Sequence, residues 1–258
     1  QTVSQMQIVI SPAKLMNFEG SIPAVKTTAP LFPEKTATLV EICRQLSECE
    51  IVAKMKVNAT IAHHVYEYFQ TFDFESTPRR AAALAYNGIA YKGLNAADFS
   101  QEDFDFARQH FNILSALYGI LRPFDEIKPY RLEMHRKIVP AGFKSLYDFW
   151  EDLLNDYLGR KLKKDDKIVI DVSSSEYGRI LNPTKLPKGT RIISMNFLQH
   201  QANDLKQIVV HTKKARGMLS RFIIKNKIYR LEDVKAFDSE GYFFYPKLSS
   251  SNEWFFVR

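Results

Sequence analysis

The 258-residue chain has only two cysteines, Cys43 and Cys49, and no long apolar run. Two cysteines six positions apart make a poor disulfide framework, and no Cys/His cluster has the ligand spacing of a metal site. The adjacent His63 and His64 point about 100° apart on a helix, so they do not share one metal. Because no window approaches 18 apolar residues, the sequence predicts neither a membrane span nor a membrane partner, and it favours a cytoplasmic location without metal or cofactor.

Known catalytic signatures are also missing from the sequence. It contains no GxSxG, no GxxxxGK[ST], no HExxH and no GxGxxG, so no reaction class is defined. Hydrophobic residues at 45% and charged residues at 25% exclude an intrinsically disordered chain. Residues 1–5 carry no structural pattern and are interpreted as a leader or cloning remnant before Met6.

The hydrophobic pattern predicts one α+β domain over residues 6–258, with a mixed β-sheet flanked by helices. Strands are predicted where β-branched and apolar residues cluster, at residues 6–10, 81–86, 89–91, 167–172, 191–197 and 207–212. A β-hairpin is predicted from residues 242–245 and 254–257. Apolar positions recurring every three or four residues predict helices at residues 34–46, 100–119, 146–158 and 217–226.

Residues 47–69 predict two short helices joined by a tight turn at Lys56-Val57-Asn58. This arrangement resembles a helix-hairpin-helix, in which helix N-termini and an exposed turn present backbone amides to phosphates without reading bases. The predicted contacts are Lys54, Lys56 and Asn58, although the glycine usual in such a turn is replaced by Asn58. An ordinary corner between two helices is the alternative.

The positive charge is concentrated in one region. The whole chain carries +7 at pH 7, but residues 177–231 contain twelve basic residues and one acid, which leaves −4 for the other 203 residues. A concentrated field of this kind favours phosphate. Its densest part, Lys213 to Gly217, is predicted to lie between a strand and a helix N-terminus, with Lys213, Lys214 and Arg216 as contacts. A solvated basic surface without a ligand is the alternative.

Several longer motifs resemble the YaaA family of bacterial peroxide stress proteins. They are Ile10-Ser11-Pro12-Ala13-Lys14, Tyr91-Lys92-Gly93-Leu94, Phe104-Asp105-Phe106-Ala107, residues 114–123, Pro129-Tyr130-Arg131-Leu132-Glu133-Met134, Lys213-Lys214-Ala215-Arg216-Gly217, Ser220-Arg221-Phe222 and Ser239-Glu240-Gly241-Tyr242. The resemblance implies an α+β protein that limits iron-dependent peroxide damage and binds double-stranded DNA through a basic cleft and a helix-hairpin-helix. The motif positions that would line the cleft are Lys14, Arg122, Arg131, Lys213, Arg216 and Arg221.

An enzyme is the alternative function. Lys14 past a strand end, Arg131 with Glu133, and Ser173 to Ser175 after a buried strand are residue types that hold and activate a phosphorylated or nucleotide-like small molecule. Such dense motifs favour a preorganised pocket over a surface of scattered lysines. The two hypotheses place different ligands in the same cleft, a DNA duplex or a small phosphorylated molecule, and the sequence leaves both open.

Overall fold

A computed structural model describes residues 6–164 and 166–258, so the predicted leader at residues 1–5 lies outside the described residues. The first half of the chain is mainly helical. Its elements are β1 (Gln7–Ile10), α1 (Pro33–Arg44), α2 (Glu48–Met55), α3 (Ala59–Gln70), β2 (Arg80–Ala81), α4 (Ala82–Ala85), α5 (Ile89–Leu94), α6 (Gln101–His110), β3 (Phe111–Ser115), β4 (Gly119–Leu121) and β5 (Glu126–Ile127).

The second half supplies most of the sheet and two long helices. Its elements are α7 (Leu146–Leu162), β6 (Ile168–Val172), α8 (Ser175–Gly178), β7 (Arg191–Gln201), β8 (Asp204–Lys206), α9 (Val209–Lys225), β9 (Phe243–Phe244) and β10 (Glu253–Val257). Among the described residues no helix is both long and apolar enough to cross a membrane.

The main sheet is mixed and has the strand order β4-β3-β1-β6-β7-β10-β9, with β8 paired to β7. Strands β3, β1, β6, β7 and β10 run parallel, while β4, β9 and β8 are antiparallel to their neighbours. In register, Ile8 lies opposite Phe111 of β3 and Ile170 of β6. The predicted α+β class and mixed sheet are confirmed.

The central strands are continuous apolar runs because both of their faces are covered. All four residues of β1 and all five of β3 are buried, as is typical of parallel strands inside a sheet. In β6 the exception is Asp171, which is half-buried. Asp171 lies near the carboxyl end of β6, where the buried strand gives way to polar residues at the edge of the sheet.

Two stretches predicted from local pattern were assigned wrongly. Residues 81–86 and 89–91 are not strands: only Arg80 and Ala81 pair with β5, and α4 and α5 follow. The helix that starts after the Ser100 cap ends at His110 rather than Gly119. The helical spacing continues by chance through β3, whose five residues are buried on both faces, so periodicity alone does not separate the two forms.

The helix that carries the basic cluster also begins earlier than predicted. Val209 and Val210 are the first residues of α9, so residues 207–212 are not a strand. Gly217 therefore lies in the middle of a 17-residue helix, and the helix N-terminus predicted beside Lys213, Lys214 and Arg216 is not at that position. β-branched residues favour strands, but here burial of one helix face overrides that preference.

The remaining predicted elements agree with the structure. The two short helices predicted within residues 47–69 are α2 and α3, and they are separated by Lys56, Val57 and Asn58, with Lys56 in the left-handed conformation at φ 55°. The predicted C-terminal hairpin is the antiparallel pair β9 and β10. The strand predictions at residues 6–10, 167–172 and 191–197 correspond to β1, β6 and β7.

Candidate functional site

The carboxyl ends of three parallel strands meet at one edge of the sheet. Ser11 follows β1, Ser174 follows β6 and Ser115 ends β3. The Ser174 backbone N–H donates to the Ser11 hydroxyl oxygen at 2.8 Å, and Ser115 and Tyr86 lie 3.0 and 2.7 Å from the Tyr130 hydroxyl. Because β3 and β6 lie on opposite sides of β1, this edge is a topological switch point, where open parallel sheets form ligand crevices.

The buried carboxylate of Glu133 is shared by three cations at this edge. Its side chain is only 4% exposed, and it lies 3.1 Å from Lys14 Nζ, 3.3 Å from an Arg136 nitrogen and 3.8 Å from Arg131 Nε. Burial opposes ionisation of this carboxyl, but the Lys14 ammonium and the two guanidinium groups lower its pKa. Glu133 alone therefore does not balance the three cations that contact it.

A closed circuit of contacts links the residues at these strand ends, and we call this group of residues the edge site. Lys14 lies three residues after Ser11 and pairs with Glu133. His135 Nδ1 lies 2.7 Å from Glu176 Oε2, and Glu176 lies two residues after Ser174, which bonds back to Ser11. Loop 130–136 therefore connects the ends of β1 and β6.

The edge site also contains a group of side chains that resembles a metal site. In the described part of the chain, Glu133, His135 and Glu176 place one ligand atom each within 4.8 Å of one another. The sequence gave no indication of this group because its members are separated by up to 43 positions. Lys14, Arg131 and Arg136 already surround Glu133, and their charges oppose a divalent cation there.

Several arginine N–H groups around the same edge are buried without a hydrogen-bond acceptor in the described part of the protein. The Nε atoms of Arg131, Arg136 and Arg216 have no hydrogen-bond partner within residues 6–164 and 166–258. Burial lowers the pKa of the Arg216 guanidinium, and the nearby Asp171 carboxylate partly offsets this. Buried polar groups are nearly always hydrogen-bonded, so three such atoms in one region indicate a site suited to an added acceptor.

Neighbouring hydroxyl groups at the edge stay neutral. Burial raises the pKa of Tyr86, Tyr91 and Tyr130, so none of them adds negative charge at neutral pH. The Tyr91 hydroxyl donates to the Ser11 carbonyl oxygen at 2.8 Å and thereby fixes the turn after β1. This leaves Glu133, Glu176 and Asp171 as the acids that oppose the basic side chains at the edge site.

Helices α5 and α9 pack unusually closely and position the second basic region. A Cβ atom at Gly217 would overlap the carbonyl oxygen of Ala90, and one at Gly93 would lie 2.5 Å from the Lys214 carbonyl oxygen. Glycines at both contact points let the two backbones approach. The family motifs that contain Gly93 and Gly217 therefore meet in space.

A groove of about 480 Å³ runs along this packed pair, and we call it the α5–α9 groove. Four basic side chains line it together with neutral residues: Lys92, Lys214, Arg221 and Lys225. Of the predicted cleft residues, Arg221 belongs to its lining, as does the predicted phosphate contact Lys214, and Lys213 is exposed beside them on α9. The predicted basic region is thus divided between this groove and the edge site.

Acids from other parts of the chain neutralise some of the basic region. Five of its twelve basic residues form ion pairs with other described residues: Lys185, Lys214, Arg221, Lys225 and Lys227. Hydrogen bonds from Arg221 lower the pKa of Asp98. Burial opposes ionisation of Asp103, but hydrogen bonds from Lys225 and Lys227 lower its pKa. The regional net charge of +11 therefore overstates the field at the groove.

None of the contacts described above joins the hairpin of α2 and α3 to the edge site or to the α5–α9 groove. Lys54, Lys56 and Asn58 are exposed, but the Asn58 side-chain oxygen caps α3 by accepting from the Ile61 N–H at 2.8 Å. Residues 47–69 contain three glutamates and two lysines, a net charge of −1. Its electrostatic attraction for phosphate is correspondingly weak.

Arg122, another predicted cleft residue, has a structural role. Its Nε donates to the buried Asp125 at 3.0 Å, and a second guanidinium nitrogen donates to the Ala29 carbonyl oxygen at 2.7 Å. These bonds fix the turn before β5. Arg122 thus shares no contact described here with Lys14 or Arg131.

A second cavity of about 490 Å³ lies against α1 and β5. Its lining mixes basic residues, acidic residues and apolar groups, and it includes none of the predicted site residues. Residues missed by sequence reasoning lie instead at the edge site: Arg136, His135 and Glu176. The sequence does show a polar or charged residue soon after each strand or motif. That signal does not say which of these residues lie close together in the folded chain.

Together these features define an α+β protein with basic side chains gathered at the carboxyl edge of its parallel strands and along a neighbouring helix pair. Residues 6–248 match the family described as peroxide stress protein YaaA. The chain therefore belongs to the YaaA family of peroxide stress proteins. The resemblance noted from the motifs is confirmed at the level of the family.

Proposed function

We propose that this peroxide stress protein binds double-stranded DNA through the α5–α9 groove and thereby limits oxidative, iron-dependent damage to it. The observation that carries the proposal is the lining of the groove, in which Lys92, Lys214, Arg221 and Lys225 stand along two packed helices. Lysine and arginine on a rigid surface attract phosphates without reading bases.

The ion pairs within the groove do not abolish its positive charge. The groove and its ion-paired neighbours hold six basic side chains and three acids, namely Lys92, Lys214, Arg221, Lys225, Lys227 and Arg258 against Asp98, Asp103 and Glu240. A phosphate can replace a carboxylate as the partner of these cations. Lys92 is exposed at the rim and needs no such exchange.

Charge reversal in the groove tests the proposal. The double variant Lys92→Glu/Lys214→Glu is expected to weaken duplex binding by about tenfold or more, equally for unrelated sequences, because backbone phosphates provide the attraction. Fluorescence anisotropy with two duplexes at several salt concentrations measures this effect, and the logarithm of affinity should fall linearly with the logarithm of salt concentration.

Lys188→Glu is the matched control, since Lys188 is exposed but lies outside the groove lining. It is expected to retain most of the wild-type affinity. Equal losses in the control and the groove variant, or wild-type binding that does not respond to salt, would contradict a role for the groove.

A further inference from the structure

We infer that the edge site binds a small phosphate monoester, separately from any duplex in the α5–α9 groove. Three observations point to this ligand: the excess of basic over acidic side chains at the edge site, the buried arginine Nε atoms without hydrogen-bond partners among the described residues, and the position of both at a topological switch point. The inference does not depend on duplex binding, because no edge-site residue lines the groove.

The edge site carries an excess of positive charge that an anion would balance. Its four cations, Lys14, Arg131, Arg136 and Arg216, stand against the carboxylates of Glu133, Glu176 and Asp171, so one net positive charge remains. A phosphate monoester also offers three strong acceptor oxygens to the arginine N–H groups that lack hydrogen-bond partners in the described part of the chain. Guanidinium groups also match the geometry of phosphate oxygens.

The depth of the cations favours a small ligand over a polymer. Exposure of the side chain falls from 60% at Lys14 to 19% at Arg131 and 12% at Arg136, while Glu133 is 4% exposed. Lys14 is therefore open to solvent, whereas the two arginines are largely covered. A small ligand with a terminal phosphate can approach such covered groups more closely than a phosphate within a stiff duplex can.

Polar groups at the ends of β1 and β6 complete the site. The Ser11 hydroxyl donates to the Ser174 hydroxyl oxygen at 3.2 Å, so the Ser174 proton is available for a phosphate oxygen. Ser174 and Ser11 are held by the backbone bond described above, which gives the site a fixed wall. No covalent step is part of the inference.

Glu133 pairs with the same cations that the phosphate would bind. The inference therefore predicts that removing the charge of Glu133 strengthens phosphate binding. Replacing Glu133 by Gln removes the competing negative charge while keeping the shape of the side chain. The Glu133→Gln variant is therefore expected to bind phosphate about fivefold or more tightly than the wild type, because the charge-assisted bonds of the cations are no longer shared with a carboxylate. A purely structural role for Glu133 predicts weaker binding.

The experiment is a calorimetric titration of the full chain with inorganic phosphate and with phenyl phosphate. One saturable site is expected in the wild type, and Lys14→Met is expected to weaken both ligands about fivefold, because one charge-assisted bond is lost. Lys14 is mostly exposed, so this variant keeps the fold. Lys144→Met, an exposed lysine elsewhere, is the matched control and is expected to bind like the wild type.

Several results would overturn the inference. They are no saturable phosphate binding in the wild type, equal binding in Lys14→Met, weaker binding in a Glu133→Gln variant with wild-type melting temperature, or tighter binding of succinate than of phosphate. Saturable Mn²⁺ binding that Glu133→Gln abolishes, without any phosphate site, would assign the edge site to a cation instead.

Two further measurements separate this inference from duplex binding. Lys92→Glu/Lys214→Glu is expected to retain phosphate binding at the edge site, and Lys14→Met is expected to retain most duplex affinity. Loss of phosphate binding in the groove variant would show that the phosphate had bound in the groove, which would overturn the edge site as its location.

Discussion

Single residues fix the geometry of the α5–α9 groove, and Gly217 is the most constrained of them. A methyl group there would overlap the Ala90 carbonyl oxygen on the neighbouring helix, so Gly217→Ala forces α5 and α9 apart. We expect a loss of about 3 kcal/mol or more in the free energy of unfolding, as for other overpacked contacts, with reduced duplex binding. Urea unfolding measures the loss.

Gly159 provides the comparison because it also lies inside a long helix. A Cβ atom there would meet only Pro187 Cδ at 3.3 Å. Gly159→Ala is therefore expected to change the free energy of unfolding by about 1 kcal/mol or less, since the better helix propensity of alanine offsets slight crowding. If both substitutions lowered the free energy of unfolding by similar amounts, the close contact with the Ala90 backbone would not explain the need for glycine at position 217.

His110 makes stability depend on pH. It is buried, its Nδ1 lies 3.0 Å from the Met6 carbonyl oxygen, and burial lowers its pKa from 6.5. On acidification the unfolded chain therefore takes up this proton before the folded chain does. The stability conferred by the neutral ring is complete above the unfolded pKa and is lost as the pH falls through and below about 6.5.

The variant His110→Gln removes this proton uptake. Between pH 7.5 and 5.5 the wild type is expected to lose more unfolding free energy than the variant, by no more than about 1.4 kcal/mol per pH unit. Urea denaturation at several pH values gives the two slopes. Parallel slopes would mean that His110 does not titrate differently on unfolding.

At the scale of elements, the hairpin of α2 and α3 is a proposed second contact for a duplex, weaker than the groove. Its exposed Lys54 and Lys56 are accompanied by three glutamates, so the local charge is −1. Lys54→Glu/Lys56→Glu is expected to reduce duplex affinity by less than Lys92→Glu/Lys214→Glu, because fewer uncompensated charges are lost. Anisotropy titrations of both double variants side by side test this order, and the reverse order would make the hairpin the principal contact.

Helices whose ends carry capping residues could be predicted from the sequence. Ser100 and Asp103 form the capping box that starts α6, and Asn58 caps α3. Elements without such signals could not: β3 continues directly from α6 at Phe111, and α9 starts at Val209 without a side-chain cap. In both places tertiary burial decides between helix and strand, and local pattern does not contain that information.

At the scale of the whole molecule, the sequence predicts the excess of positive charge but not its distribution. Asp98 and Asp103 precede the basic region by more than 70 positions, yet they form ion pairs with three of its cations. Lys14, Glu133 and Glu176 likewise meet only because β1 and β6 are neighbours. The types of site residue were predictable, whereas their partners depend on long-range pairing.

The central position of β1 also has a consequence for how the protein is made. Residues Gln7–Ile10 leave the ribosome about 100 residues before β3 and about 160 before β6, the two strands that cover both of its edges. During that interval β1 is an apolar segment with unpaired backbone groups on both sides. Pairings this distant in sequence slow folding and expose the nascent chain to aggregation, so chaperone capture of the nascent chain is expected to act at this strand.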